Sequence, residues 1–255
     1  MYDVKDIYRA SYGLIFDDDF QVLDTERWLV SPSESYELLE PGLRLYHSDA
    51  GLTNILFDLP QDEPELVFEV TADYTPQVPG DDGGIVIWKS ALEKLEFLES
   101  YDVVVNGFVD KWRVVKRNNL WSFFALKGGQ WELVDSSICI DPIRAGIVLR
   151  NTNSPGFVPL DVKRAILCRG TQITVGNVGS GFEVRLLDKQ GNIVRKQIVP
   201  DGFSGVKIEL PALPFEGKVV VVDNTGTSTI VHESDELIMY GGDEFFLGTA
   251  LRVIW

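Results

Sequence analysis

Residues 113 to 134 read Arg-Val-Val-Lys-Arg-Asn-Asn-Leu-Trp-Ser-Phe-Phe-Ala-Leu-Lys-Gly-Gly-Gln-Trp-Glu-Leu-Val. Three short apolar runs are separated by two turns, Arg117-Asn118-Asn119 and Lys127-Gly128-Gly129. Asn and Gly adopt the positive φ that tight hairpins need, so these are reversals of the chain. The middle run is rich in aromatic residues, which suit a covered pleated surface. The stretch therefore predicts a meander of antiparallel strands.

The same signals continue on both sides. Upstream lies Gly83-Gly84-Ile85-Val86-Ile87-Trp88, an apolar strand with the turn cluster Pro79-Gly80-Asp81-Asp82 before it. Leu66, Phe68 and Val70 alternate with Val67, Glu69 and Thr71, and Val206, Ile208 and Leu210 alternate with Lys207 and Glu209. A period of two marks half-buried antiparallel strands. One segment disagrees: in Ser90 to Glu99, Leu92, Leu95 and Leu98 recur every third residue among good helix formers. Taken alone it is a helix. The chain as a whole reads as all-β.

Composition narrows the function classes. The 255 residues carry a formal charge of −16, which argues against a nucleic-acid backbone or an anionic membrane as partner. No run approaches the roughly 18 apolar residues of a membrane span, so no membrane insertion is expected. The first residues, Met1-Tyr2-Asp3-Val4-Lys5-Asp6, carry acids where a signal peptide carries bases and then an apolar run. Synthesis in the cytoplasm, or loss of a leader, follows as an expectation. The two cysteines, Cys139 and Cys168, each lie in an apolar run and read as buried thiols, with a disulfide between them as the other option.

Set in order, the motifs resemble a known family. Phe16-Asp17-Asp18-Asp19-Phe20 and Leu23-Asp24-Thr25-Glu26-Arg27-Trp28 open the pattern; the Gly83-Gly84 strand and the meander with Trp121 and Trp131 continue it. Ala145 to Leu149 and Leu160 to Ile166 close it. This order resembles the concanavalin A-like lectin/glucanase superfamily in its laminin-G-like branch. The resemblance implies a jelly-roll β-sandwich over residues 1–169. It also implies a loop at Ser90 to Glu93 with a strand from about Lys94 to Tyr101, and Trp28 and Trp131 packed inside. Many members carry a structural calcium ion where first and last strands meet, and Asp18 and Asp161 match those places. The stretch Asp17-Asp18-Asp19 reads equally as an acidic turn.

Residues 170–255 hold seven further strand candidates at intervals near ten residues: 171–176, 182–187, 193–199, 205–210, 217–222, 228–232 and 244–254. Such spacing predicts a smaller immunoglobulin-like or fibronectin-like sandwich. The apolar closing run Leu251 to Trp255 is expected in a sheet or an interface.

Catalytic signals are weak. Glycosidases on this fold set carboxylates along one strand, about 5 to 5.5 Å apart for retention. Glu93, Glu96 and Glu99 are three apart and alternate between strand faces, while Glu65 and Glu69 share a face but lack a middle Asp. His47 and His232 are the only histidines and fall in separate units, against a zinc site or a His-based triad. Sugar sites on sandwiches use aromatic faces flanked by polar groups. Trp88, Trp112 and Trp121 are the candidate rings, with Asp81, Asp82, Asn106 and Asn118 in adjacent turns, although most tryptophans of a sandwich fill its core.

The expected protein is therefore a non-catalytic recognition or structural one. Paired modules of this kind look like bacteriophage virion accessory proteins of the tail, fibre or capsid surface, assembled in the host cytoplasm. A bacterial cell-surface protein is the alternative location. Expected partners are a cell-surface carbohydrate and other virion or surface subunits, including copies of itself in a homo-oligomer. Competing readings are a glycan-active hydrolase and a purely architectural subunit.

Overall fold

A computed structural model describes residues 7–46, 51–101, 111–151, 158–224 and 228–248. The described residues form strands and no helix, and none of their segments is a helix long and apolar enough to cross a membrane. Two compact units result: Phe16–Leu167, and a second built from residues up to Ile15 together with those from Cys168 onward. The later boundary falls within two residues of the one expected at 169. Residues 7–13 group with the second unit and not with the sheets of the first, against the expectation of an unbroken first domain from residue 1.

The first unit has two sheets. The larger runs in the order β12 (Gln130–Ile138), β11 (Leu120–Lys127), β10 (Lys111–Arg117), β7 (Glu65–Asp73), β14 (Leu160–Cys168), β5 (Gly42–Leu45) and β4 (Tyr36–Leu39), with β2 (Leu14–Asp18) also on β14. The smaller runs β3 (Leu29–Ser31), β6 (Leu52–Asp58), β13 (Arg144–Asn151), β8 (Asp81–Trp88) and β9 (Lys94–Ser100). The meander forms as its turns demand: Asn118 has φ of 53°, and Gly128 and Gly129 have 55° and 78°.

The ambiguous segment is the predicted loop followed by β9, not a helix. Ser90 Oγ accepts the Glu93 amide at 3.1 Å to close the turn, and Leu92 is fully exposed. Pairing with β8 places Phe97 opposite Ile85 and buries it in the interior, where its ring stacks on Phe123 of the other sheet at 5.2 Å. Cross-sheet burial outweighs helix propensity, which is worth only tenths of a kcal/mol per residue. Elsewhere the two inner faces meet in an edge-on aromatic cluster, Phe16, Trp28, Phe57 and Phe68, with several centroids 4.9 to 5.4 Å apart. Trp28 is in the core, as expected.

The second unit also has two sheets. One orders β1 (Ile7–Ala10), β22 (Glu244–Leu247), β15 (Gln172–Gly176) and β18 (Gly205–Glu209). The other orders β17 (Ile193–Ile198), β16 (Glu183–Asp188), β19 (Phe215–Asp223) and β20 (Thr229–Glu233), with β21 (Leu237–Met239) on β19. The seven predicted strands are present, the last as far as Leu247. Strands β1 and β21 are additional, and β22 pairs parallel to β15. The fully buried Asp243 carboxylate joins the chain's two ends: it accepts the Gly13 amide at 3.1 Å, the Tyr240 amide at 2.9 Å and Arg9 at 2.5 Å. The run Leu251 to Trp255, like His47 and Asn106, lies outside the described residues.

Candidate functional site

On β11, Trp121, Phe123 and Ala125 are buried against the smaller sheet, so Ser122, Phe124 and Leu126 point outward. The two-residue turn at Gly128 and Gly129 fixes the partner strand: Leu126 faces Trp131 and Phe124 faces Leu133. A β-bulge then shifts the register between Phe123 and Phe124, so that Ser136, not Asp135, stands opposite Ser122. Bulges re-aim side chains in this way. Trp131, Leu133 and Ser136 consequently share the outer face with Ser122, Phe124 and Leu126. Trp131 and Phe124 are half-buried, and Leu133 is 60% exposed. The result is a strip of rings, aliphatic groups and hydroxyls on the edge ribbon of the larger sheet.

Trp131 is braced from one side. Arg113, directly across from Phe124, sets its guanidinium over the indole at 4.0 Å from the ring centroid. Arg113 is itself held by Glu69 across the next strand, through Nε at 2.9 Å and Nη2 at 2.6 Å to the same carboxylate oxygen. Both charged groups are buried although they lie on an outer sheet face. Lys111 reaches the other oxygen of Glu69 at 3.4 Å. Buried ion pairs contribute little net stability, because desolvation offsets their attraction. This one fixes the height and tilt of a half-exposed aromatic ring.

Most of the residues singled out in the sequence lie elsewhere. Trp112 and Trp121 are each 1% exposed, which removes them as ligand platforms. They point into the sandwich, where Trp112 Nε1 donates to Glu99 at 3.1 Å and Trp121 Nε1 to the Cys139 carbonyl at 3.4 Å. Asp81 is fully buried and closes its own turn by accepting the Gln77 and Val78 amides. Asp82 is half-buried on β8, and Asn118 occupies the β10–β11 turn with its amide on the Pro64 carbonyl. Trp88 is half-buried on the outer face of the smaller sheet, in a row between Arg144 and Lys94. Lys94 lies over its ring at 5.4 Å. The three predicted rings therefore do not converge. Trp131, expected inside, lies half-buried on the outer face of the larger sheet.

The calcium expectation does not fit its residues. Both Asp161 oxygens take Arg44 at 2.7 and 2.8 Å, and this partnership raises the Arg44 pKa further above its ordinary value. Asp18 accepts the Trp28 indole at 2.7 Å, the Phe20 amide at 2.9 Å and Arg27 at 3.3 Å. A cation would have to displace these donors. Among the described residues no group of three or more His, Cys, Asp and Glu is set to hold a metal.

The candidate acids are likewise engaged. Glu65 faces Arg117, Glu69 faces Arg113 and Lys111, and Glu96 is paired with both Lys94 and Arg150. Glu96 and Glu99 fall on opposite faces of β9, as their spacing predicts. The Cys139 thiol is pushed up chiefly by burial, with Glu93 next, and no disulfide joins it to Cys168.

No protein-family model and no curated protein matches the chain. Solved structures do. The GH43 protein BlXynB of Bacillus licheniformis superimposes with a TM-score of 0.51 at 15% identity, covering 60% of this chain and 39% of that one. A mutant of BlXynB gives 0.52 with the same identity and coverage. The chain thus spans about two-fifths of that protein's length. A structure of botulinum neurotoxin type C, whose cell entry depends on two ganglioside molecules, gives 0.34 at 8% identity over 91% of this chain and 75% of that one. What the BlXynB likeness shows is a shared β-sandwich fold.

Proposed function

We propose that this chain is a non-catalytic glycan-recognition protein, built on a jelly roll of the concanavalin A-like type, that binds through the outer strip around Trp131. The observation that carries the reading is the braced ring. An indole fixed on one side by a buried Arg113–Glu69 pair offers its remaining surface at low entropic cost, beside a half-exposed phenyl group and with two hydroxyls further along the same strip. Such a flat, wettable aromatic surface suits the C–H face of a sugar. The engaged acids favour recognition over hydrolysis, which requires two carboxylates free to act as acid and as base or nucleophile. A place in a virion or on a bacterial surface, and association into a homo-oligomer, rest on the sequence resemblance alone.

One observation favours a second reading. Leu133, Ile138 and Ile140 are more than half exposed along and beyond the same ribbon, an apolar run that also suits a protein neighbour. Binding of the full chain to a polysaccharide panel, with Trp131→Ala and Trp131→Phe alongside, separates the two. Loss of retention in Trp131→Ala, partial retention in Trp131→Phe and nearly unchanged melting support a sugar platform. Retention indifferent to Trp131, or none by the native chain, refutes it and leaves the protein-contact reading.

A further inference from the structure

We infer that the ligand of this strip is a neutral oligosaccharide and not an acidic one. The inference rests on the sugar-platform reading and adds the charge class of the ligand. Recognition of a sugar carboxylate or sulfate uses Arg or Lys donors turned toward the ligand, with Arg favoured where two oxygens are to be held. On this sheet the described bases are engaged by the protein itself: Lys116 donates to the Glu63 carbonyl, and the others are turned to acids, Lys127 to Glu132 among them. Arg113 lies against the indole and gives both Nε and Nη2 to Glu69, whose other oxygen takes Lys111. The same self-pairing continues across the sheet: Arg117 with Glu65, Arg44 with Asp161, Arg164 with Asp17 and Lys163 with Asp73.

The polar groups the strip does present are of another kind. Ser122 and Ser136 stand opposite each other, offering hydroxyls that both donate and accept. Glu132 and Asp135 stand opposite Ala125 and Phe123, on the other face of the edge ribbon, so the strip itself presents no charged group of the edge strand. The overall charge of −16 repels sugar acids at longer range. From Leu120 to Leu126 the outward residues of β11 extend about 20 Å at a strand's rise per residue, room for several sugar rings end to end.

The test uses the full chain on immobilised neutral polymers (xylan and dextran) and acidic ones (polygalacturonate and chondroitin sulfate). Measurements at about 20 mM and about 500 mM salt shorten electrostatic reach from roughly 20 Å to roughly 4 Å. The expected result is retention on at least one neutral polymer, lost in Trp131→Ala, and changing less than about twofold with salt because unpaired charges take no part. Acidic polymers should not be retained. Trp131-dependent retention on an acidic polymer, weakening about tenfold or more with salt, overturns the neutral class and leaves the sugar platform standing. Retention on no polymer, or retention untouched by Trp131→Ala, overturns the platform and this inference with it.

Discussion

Removing one half of the Arg113–Glu69 pair should damage the protein far more than removing both. The Glu69 and Arg113 side chains are 3% and 7% exposed, so neither charge can be rehydrated in place. Glu69→Ala leaves the guanidinium buried with no counter-charge, a cost of roughly 3–5 kcal/mol. Lys111, about one-third exposed, can turn to solvent and offsets none of this. At about 2–4 °C per kcal/mol for a unit of some 150 residues, melting should fall by roughly 6–20 °C. The double replacement Glu69→Leu with Arg113→Met keeps side-chain volume and removes both charges. It should be near neutral, or stabilising by up to about 4 kcal/mol. Its indole loses the brace, so glycan retention should drop although the fold is intact. Differential scanning fluorimetry and retention measured on the same preparations report both quantities. A single variant that melts like the native protein would show that the pair is hydrated, and a double variant with native retention would show that the ring needs no brace.

Three further outcomes follow from other parts of the molecule. Asp243→Ala should take the acceptor from the buried Gly13 amide, about 1–3 kcal/mol, and from the part-buried Tyr240 amide, and limited proteolysis should then cut within the first fifteen residues. Unaltered cleavage would show that β1 is held by its ladder alone. Burial holds the Cys139 thiol above its ordinary pKa, and Cys168 is fully buried, so a thiol reagent at neutral pH should label both only on unfolding; rapid native labelling of Cys139 would contradict its burial. Burial alone would raise the Glu183 carboxyl, but the hydrogen bond and charge of Arg185, then Lys196, bring it below its usual value. Its stabilising contribution is therefore complete above about pH 4.3, the unfolded value, and is lost as pH falls through the depressed folded one. Glu183→Gln should flatten the acid limb of a melting-versus-pH curve, and an unchanged limb would assign that loss to other carboxylates.

Much of the fold was legible because its signals are local. Asn118, Gly128 and Gly129 announce their own backbone angles, and alternation along β7, β16 and β18 announces their faces. The candidate strip was less legible, though part of it was within reach. The alternation of Trp121, Phe123 and Ala125 with Ser122 already places Trp121 on the apolar side. Counting through the two-residue turn then puts Trp131 opposite Leu126, on the other side, against its expected packing inside. Beyond that point local reasoning fails. The bulge beside Leu133 shifts the phase of β12, and nothing in the nearby residues shows that Arg113 will meet Glu69, 44 positions away. Nor does any local pattern tell β1 to seek β22 near the far end of the chain.

That last pairing makes the smaller unit discontinuous, with the larger sandwich inserted between β1 and β15. During synthesis the larger sandwich can close as soon as β14 emerges, while β1 must wait for β22, since domains fold as units in the order they are made. Residues 170–255 expressed alone would leave β22 with an open edge where β1 belongs, an invitation to strand exchange between molecules. A permuted chain that begins at β15 and carries β1 after β22 would make the smaller unit contiguous and free it to fold without its passenger.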